Sequence, residues 1–451
     1  MYPLRHPQSF SWLSLRQGVT LLAAAFVPSS RPSAIVLGGG ADRAVFSDRA
    51  APRSSCSRSN RIISTSCSTL RSTGVAMAAA TSAEELGRYA EKLRGEWSME
   101  PAVALDRLVP ELGGDRHKGQ LGKVGVFGGS KDYTGAPFFA SMSALRTGAD
   151  LAYVLTAQEA APALKAYSPE LMVTPVYSAA TITERGAAGQ RELVDAVTAV
   201  LPKLHSLLLG PGLGRDPDVL RAAAEVVPRA RLRNLPVVLD ADALAMVVGN
   251  PAAVGGYVLA VLTPNANEFR LLRERMDRDT ASQGFRTPAS AEAPATAVAK
   301  GEEKTTGEAP PNAGGGEESK AGVVERLAKH LGGVTVVSKG NVDMISNGAR
   351  TISCAVPGGL KRCGGIGDVL SGAMATSLGW VALQDFGGEE AEELRLWAAW
   401  WACAVTRQAS RRGYEAKGRA MSATDVLDQI GSVLEELSPS PAVQDWKLDA
   451  R

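Results

Sequence analysis

Arg362-Cys363-Gly364-Gly365-Ile366-Gly367-Asp368 runs without a break into VLSGAMATSLGW (369–380). Three glycines precede an aspartate at which an amphipathic, small-residue helical pattern begins. Glycines leave backbone N–H groups unshielded. A helix starting there adds its own free N–H groups and the positive end of its dipole. Together they form a place for a phosphate. A carboxylate at such a point repels phosphate unless it has chemistry to do. The chemistry at hand is to accept the proton of a hydroxyl that attacks the phosphate. Asp368 is then the base, with Gly365 and Gly367 beside it as catalytic positions. The same residues also read as a glycine-rich turn with Asp368 as helix N-cap, and the stretch alone leaves both readings open. On the first reading, Gly365→Val is expected to impair nucleotide use without unfolding the protein.

Moving upstream, buried strands alternate with helical patterns and end in glycines or acids. Val124–Phe127 reads as a strand before the turn Gly128-Gly129-Ser130, and Tyr133–Pro137 opens a helix with Pro137 in its first turn. The segment 148–155 gives the next strand and 160–167 a helix, which is βαβ spacing and hence a parallel sheet. Leu204–Leu209 ends in the glycine turn Gly210-Pro-Gly212-Leu-Gly214, a tight turn or a close approach of backbone to ligand. The strand at 236–239 runs into Asp240, which is placed for a metal or a ligand hydroxyl, and Asp242, which suits a helix N-cap. Val258–Leu262 leads to Thr263-Pro264-Asn265-Ala266-Asn267-Glu268. There Asn265 and Glu268 have capping-box spacing, and Glu268 is also placed to organise Mg²⁺ through water.

Residues 277–322 lack apolar periodicity and read as a disordered insertion rather than a domain boundary, because the α/β pattern then resumes. Val323–Leu331 is a helix, and Val334–Ser338 a strand ending at Lys339, which reads as a phosphate ligand or a solvated strand end. A turn at 344–348 and a hairpin arm at 351–356 follow. Trp397, Trp400 and Trp401 on a helix over 394–409 suit the core or a subunit interface. At the amino end, residues 84–112 read as a helical lead-in, with Leu86, Tyr89, Leu93 and Trp97 at helical spacing.

Composition narrows the function classes. The 451 residues carry a net charge of +2, so no basic field points to nucleic acid. The five cysteines are scattered and lack a CxxC pair, so neither zinc nor a disulfide framework is indicated. No apolar run after the amino-terminal segment is read as long enough to span a membrane. Residues 1–83 hold nine arginines, no lysine and only Asp42 and Asp48 as acids, a transit-peptide composition. Inside them a short apolar stretch at 19–27, with Ala23-x-Ala25 and then Pro28, resembles the signal junction of bipartite plastid pre-sequences. Plastid delivery is the expectation, with a mitochondrial presequence next and a cytosolic form starting at Met77 as the alternative.

From His117 to about Ile430 the chain resembles the ATP-dependent (S)-NAD(P)H-hydrate dehydratases of the ribokinase-like, carbohydrate-kinase-related superfamily. The resemblance rests on an ordered set of strings: HKGQLGKVGVFGGS, YTGAP, KAYSPELMV, GPGLGRD, VVLDADAL, LTPNANEF, TVVSKGNVDMISNG, RCGGIGDVLSG and VTRQAS. It implies an α/β class, a three-layer α/β/α ribokinase-like fold with a mostly parallel central sheet. It also implies one domain over 84–436 with the insertion 277–322 inside it, and a tail over 437–451. Carried over position by position, Lys339, Gly340, Asn341, Val342 and Asp343 look like one ATP-binding segment. Gly358, Gly359, Leu360, Lys361, Arg362, Cys363, Gly364, Gly365, Ile366 and Gly367 look like the other. Gly212, Asn265, Ala266, Asn267, Glu268, Phe269, Arg270, Leu271 and Asp368 look like hydrate-binding positions, with Tyr133 bordering the substrate. The implied cofactors are ATP and Mg²⁺, and the implied activity is a lyase reaction that restores NADH or NADPH from its hydrate. A homo-oligomer is compatible with the resemblance, and a functional partnership with an NAD(P)H-hydrate epimerase is implied. The rival reading is a hydroxyl kinase of the same superfamily acting on a thiazole or pyrimidine alcohol. A non-catalytic nucleotide sensor leaves the carboxylate beside the anion hole unexplained. A Rossmann dehydrogenase lacks its fingerprint spacing here.

Overall fold

The computed structural model describes residues 83–284, 319–384 and 386–438. The expected leader over 1–82, the middle of the insertion and the tail beyond Ser438 lie outside the described residues. The framework is one ten-stranded sheet. In chain order its strands are β1 (Ala90–Arg94), β2 (Lys123–Phe127), β3 (Leu151–Ala157), β4 (Met172–Tyr177), β5 (Ser206–Leu209), β6 (Val237–Leu239), β7 (Ala260–Leu262), β8 (Thr335–Ser338), β9 (Asp343–Ser346) and β10 (Thr351–Cys354). Their order across the sheet is β1-β10-β9-β8-β7-β6-β5-β2-β3-β4. From β4 to β8 every pairing is parallel; β8–β9, β9–β10 and β10–β1 are antiparallel. The mostly parallel sheet is therefore as the resemblance implies. The central strands are buried on both faces, which is why they read as unbroken apolar runs.

Helices α1 (Ala83–Gly87), α2 (Pro101–Leu108), α3 (Gly135–Thr147) and α4 (Ala161–Tyr167) come first in the chain. Next are α5 (Ala179–Arg185), α6 (Ala187–Thr198), α7 (Pro217–Arg231), α8 (Asp242–Gly249), α9 (Ala266–Gly284) and α10 (Lys320–His330). The last are α11 (Ile366–Leu383), α12 (Gly388–Lys417) and α13 (Ala423–Leu437). One layer is built from α2, α3, α11, α12 and α13, and the other from α5 to α10. Strand order reverses between β2 and β5, the place where open parallel sheets leave a crevice at their carboxyl ends.

Two sequence expectations change here. The lead-in over 84–112 is not one helix: Ala90–Arg94 forms an edge strand antiparallel to β10. The open edge of the β9–β10 hairpin supplies hydrogen-bond partners that a lone helix at this position would forgo, and tertiary pairing overrides local propensity. At the other break, residues 277–284 continue α9, with Arg275 paired to Asp279 one turn on and Thr280 bonded to the Met276 carbonyl. The insertion is thus shorter at both ends than 277–322, since α10 begins at Lys320.

α11 is buried almost all round rather than amphipathic. By length and composition it is apolar enough to cross a membrane, contrary to the sequence expectation, but most of it is enclosed within the protein. Small residues let it approach α3 closely. Ser143 Oγ donates to the Val369 carbonyl at 2.6 Å, and Thr376 Oγ1 to the Ala144 carbonyl at 3.2 Å. At Gly372 a Cβ would stand 2.1 Å from the Ala140 carbonyl oxygen. The tryptophans belong to the core, as expected: Trp97–Trp397 and Trp397–Trp400 meet edge to face at 5.6 and 5.9 Å. The Trp400 indole N–H donates to the Ser353 carbonyl at 2.9 Å. On the same side, the buried Glu393 carboxylate accepts both the Ser98 and Met99 N–H groups at 2.8 Å, tying the start of α2 to α12.

Gly372→Ala should destabilise the protein by about 1–3 kcal/mol, because α3 and α11 must separate to admit the methyl group. Gly431→Ala, on α13 with open space around it, should be neutral or gain up to about 1 kcal/mol. Denaturant unfolding of the two variants side by side checks the contrast.

Candidate active site

The anion-hole stretch folds as a turn closed by Gly365, the N-cap of α11, in the left-handed region at φ +95°. The helix starts at Ile366, not at Asp368. Asp368 therefore sits in the first turn and is not the N-cap, which removes the plain capping role. Gly365 also carries a structural load. A Cβ there would lie 2.6 Å from that of Ala423 and 3.0 Å from the Phe139 ring. The expectation that Gly365→Val spares the fold is accordingly revised: valine would clash with α3 and α13 as well as strain the turn.

Asp368 is joined at the carboxyl ends of β6, β7 and β8 by residues far apart in the chain. Asp240, 2% exposed, ends β6. Ala241 follows with the unfavourable φ of +50°, and turns the chain so that the next carboxylate, Asp242, accepts the Gly214 N–H at 2.9 Å. Asp242 is the first helical residue of α8 and not its cap. Lys339, after β8, is neither a solvated strand end nor free for phosphate alone: its Nζ lies 2.9 Å from Asp240 Oδ1. A Cβ on Gly367 would be 3.6 Å from the same Nζ, which places the ammonium beside the glycine turn.

The charges act on one another. Burial pushes the Asp368 carboxyl up to about 7; Asp240 and Asp242 add to the rise, and Lys339 pulls the other way. Burial works against the Lys339 charge, yet the carboxylates of Asp240, Glu268 and Asp368 hold its pKa above the ordinary value. Burial likewise lifts Glu268, opposed by the Asn265 N–H and Lys339. The Asn265–Glu268 capping box is present: Asn265 Oδ1 accepts the Asn267 and Glu268 N–H groups, and Glu268 Oε2 accepts the Asn265 N–H at 2.9 Å.

A cavity of about 550 Å³ opens over this cluster. Asp240, Asn265, Glu268, Lys339, Gly340, Asn341, Asp343 and Gly358 line it, together with Arg362–Asp368. It thus joins most of both segments expected to bind ATP. Among the expected positions, Val342, Gly359, Leu360 and Lys361 do not line it, and Leu360 is 80% exposed. Nor do Ala266, Asn267, Phe269, Arg270 and Leu271, which continue along α9. Gly212 and Tyr133 also lie outside this cavity, packed against each other at the strand-order reversal.

One residue with a clear role was not singled out from the sequence. Arg407, on α12, donates through Nε to Asp343 Oδ2 at 2.6 Å. Its other nitrogens reach the carbonyls of Gly340 at 2.6 Å, Asn341 at 2.9 Å and Val356 at 3.1 Å. Asp343 Oδ1 in turn accepts the Gly340 N–H at 2.8 Å. Burial works against the Arg407 charge, but Asp343 holds its pKa above the ordinary value. The carboxylate of Asp343 is therefore spent on fixing the Gly340–Val342 loop. An arginine in a helix stripe next to buried small residues was the available signal, in the string VTRQAS.

The donor set bears on a metal. Among the described residues no three His, Cys, Asp or Glu side chains converge to hold an ion. Asp240 is committed to Lys339 and Asp343 to Arg407. The site fits only an ion that arrives with phosphate oxygens and keeps much of its water, the habit of Mg²⁺, with Glu268 the side chain that would face it.

Comparison with known proteins agrees with the geometry. A family model described as NAD(P)H-hydrate dehydratase matches residues 124–432. An ATP-dependent (S)-NAD(P)H-hydrate dehydratase of Emericella nidulans is 40% identical over 352 residues, covering 72% of this chain and 89% of that protein. The protein of the same name from Homo sapiens is 37% identical over 345 residues, covering 75% and 85%. Among solved structures, a hypothetical protein from Streptococcus mutans is similar in fold, with a TM-score of 0.50 at 19% identity over 74% of this chain and 97% of that one. With the family model spanning more than half of the sequence and these relatives matching most of it, the chain belongs to the NAD(P)H-hydrate dehydratase family.

Proposed function

We propose that the protein performs the ATP-dependent dehydration of the S-form of hydrated NADH and NADPH, returning the reduced cofactors to use. The observation that carries the reading is Asp368. It is a half-buried carboxyl in the first turn of α11, raised to about 7, on the rim of a cavity edged by glycine amides and Lys339.

In water-damaged reduced nicotinamide, a hydroxyl sits on C6 of the ring. Hydroxide leaves poorly and phosphate leaves well, so phosphorylation precedes elimination. Asp368 takes the proton of the C6 hydroxyl as its oxygen forms a bond to the γ-phosphorus of ATP and the bond to ADP breaks. The N–H groups of the Gly364–Gly367 turn hold the charge of the transferring group. Lys339, kept cationic by Asp240, stands beside them. Mg²⁺, when bound with the nucleotide, would draw charge from the phosphate oxygens. The ring nitrogen then pushes out phosphate and C5 gives up a proton, restoring the C5–C6 double bond. The products are ADP, phosphate and NADH or NADPH. The lining of the cavity by both glycine-bearing segments, braced by Arg407, supports its use for ATP. An enzyme confined to one epimer leaves the other behind, which supports a functional partnership with an epimerase.

Purified protein mixed with Mg-ATP and hydrated NADH should regain reduced-nicotinamide absorbance with release of phosphate. A stable phosphate ester as product would instead favour the kinase reading. Asp368→Asn should lower turnover at least about a hundredfold while still binding ATP. In the wild type, kcat/KM for the hydrate should fall about tenfold per pH unit below about pH 7 and level off above it, since the base must be ionised. Stability should respond in the opposite sense. Folding raises this carboxyl, so its ionised form is a burden on the fold that is fully present above about pH 7 and absent below about pH 4. Asp368→Asn should therefore melt a few degrees higher than wild type at pH 8, with the gain shrinking as the pH is lowered. Near-normal turnover in this variant would take Asp368 out of the role.

Arg407→Lys keeps one charge but cannot span Asp343 and three carbonyls. It should raise the KM for ATP about tenfold or more, with a much smaller change in the KM for the hydrate. Steady-state kinetics with each substrate varied in turn separates the two.

The composition of residues 1–83 supports delivery to a plastid, with a mitochondrion as the alternative. A fluorescent fusion of residues 1–90 should collect in an organelle; diffuse cytosolic signal would overturn this.

A further inference from the structure

The cavity that suits ATP lies on the β6–β8 side of Asp368. A dinucleotide hydrate has a second end, an adenosine, far from the ring that reacts. Gly212, one of the positions expected to bind the hydrate, lies outside that cavity, after β5, where the strand order reverses toward β2, the place at which open parallel sheets leave a crevice. At that crevice Gly212 has φ +62°, and a Cβ there would be 2.9 Å from the Tyr133 Cβ and 3.3 Å from that of Ala136. The loop after β5 is thus seated directly on the start of α3.

From there a run of aromatic rings leads away from the anion turn. The Phe139 ring abuts Gly365. Phe138 meets Phe139 edge to face at 5.5 Å, and Tyr167 meets Phe138 in the same way at 5.4 Å. The Tyr167 hydroxyl is 2.9 Å from Thr134 Oγ1, which fixes the end of α4 to the segment bearing Tyr133. Tyr133 and Tyr167 are nonetheless 57% and 50% exposed. The inner rings are packing; Tyr167 is held by Phe138 and Thr134 without being covered, and Tyr133, one residue before Thr134, is exposed as well. Tyr167 also belongs to the string KAYSPEL, which the proposed chemistry does not use. Half-exposed aromatic faces at such a strand-order reversal are surfaces on which a purine can stack.

We infer that Tyr167, with Tyr133 flanking it, forms the subsite for the adenosine half of the dinucleotide hydrate. This rests on the dehydratase reading given above. The tyrosines bind and position; they take no part in proton or phosphoryl transfer.

The test compares hydrated NADH with hydrated nicotinamide mononucleotide, which lacks the adenosine half. Tyr167→Ala should raise the KM for hydrated NADH roughly tenfold, in line with loss of a stacked base. Turnover, the KM for ATP and the KM for the mononucleotide hydrate should stay near wild type. Tyr167→Phe keeps the ring and should stay near wild type throughout. Equal losses on both hydrates, or no change on either, would overturn the subsite. A separate titration of unreacted NADH, with ADP held at saturation, reads the subsite without catalysis: Tyr167→Ala should bind about tenfold more weakly, and unchanged binding would overturn the assignment. If the wild type binds NADH through Tyr167 yet acts on no hydrate, the dehydratase reading falls and the subsite stands.

Discussion

The 2.9 Å contact between Lys339 Nζ and Asp240 settles what kind of acid Asp368 is. A buried carboxyl beside an unpaired ammonium would be drawn down toward a permanent anion, a weak base for a hydroxyl proton. Here the ammonium is largely answered by Asp240. Burial and the second negative charge then prevail over Lys339, and Asp368 titrates near neutrality. The pair also keeps a positive charge next to the glycine turn without letting it close on Asp368. Three charged groups thus divide two tasks: Asp240 and Lys339 set the field, and Asp368 is the carboxyl left to titrate in it.

That arrangement depends on elements that cannot shift independently. Asp240 and Lys339 follow strands separated in the sheet only by β7, and both emerge from a fully buried interior. Asp368 rides on α11, whose small residues lock it to α3 through bonds such as Ser143 to Val369. The strain at Ala241 is borne between two anchored carboxylates, where relaxation would move Asp240 away from its partner. The loop that precedes β9 has no such lattice of its own, and Arg407 supplies it from a helix on one face of the sheet. The charged groups are carried on rigid elements and the loop before β9 is tied down, which fixes their mutual geometry.

The fold class and several local features around Asp368 were legible in the sequence; the long-range partners were not. Glycines before Asp368, acids after a strand at Asp240 and the cap at Asn265–Glu268 are local signals, and each is realised locally. What escaped was decided by partners distant in sequence. Ala90–Arg94 has no strand signal of its own and becomes one because β10 presents an open edge. Asp343 looks like a ligand in its own segment, but its carboxylate is taken by Arg407, sixty-four positions away. α11 reads in the sequence as amphipathic, and only its neighbours on every side reveal that it is buried almost all round. Lys339 could be read as phosphate ligand or solvated end because its partner lies ninety-nine positions off, on another strand.

The glycine turn has a further consequence. Gly365 is shut in by Phe139 and Ala423 on its inner side, so the turn presents its outward amides and has no room to flip inward. The turn therefore keeps its place on the wall of the cavity over β6–β8, with Lys339 Nζ beside Gly367. A phosphate brought into that cavity would meet amide dipoles and a cation already fixed in place, so little reorganisation is left for the step itself. Asp368, the third residue of the helix that the turn opens, shares that rigidity, so its carboxyl and the amides of the turn keep one spacing.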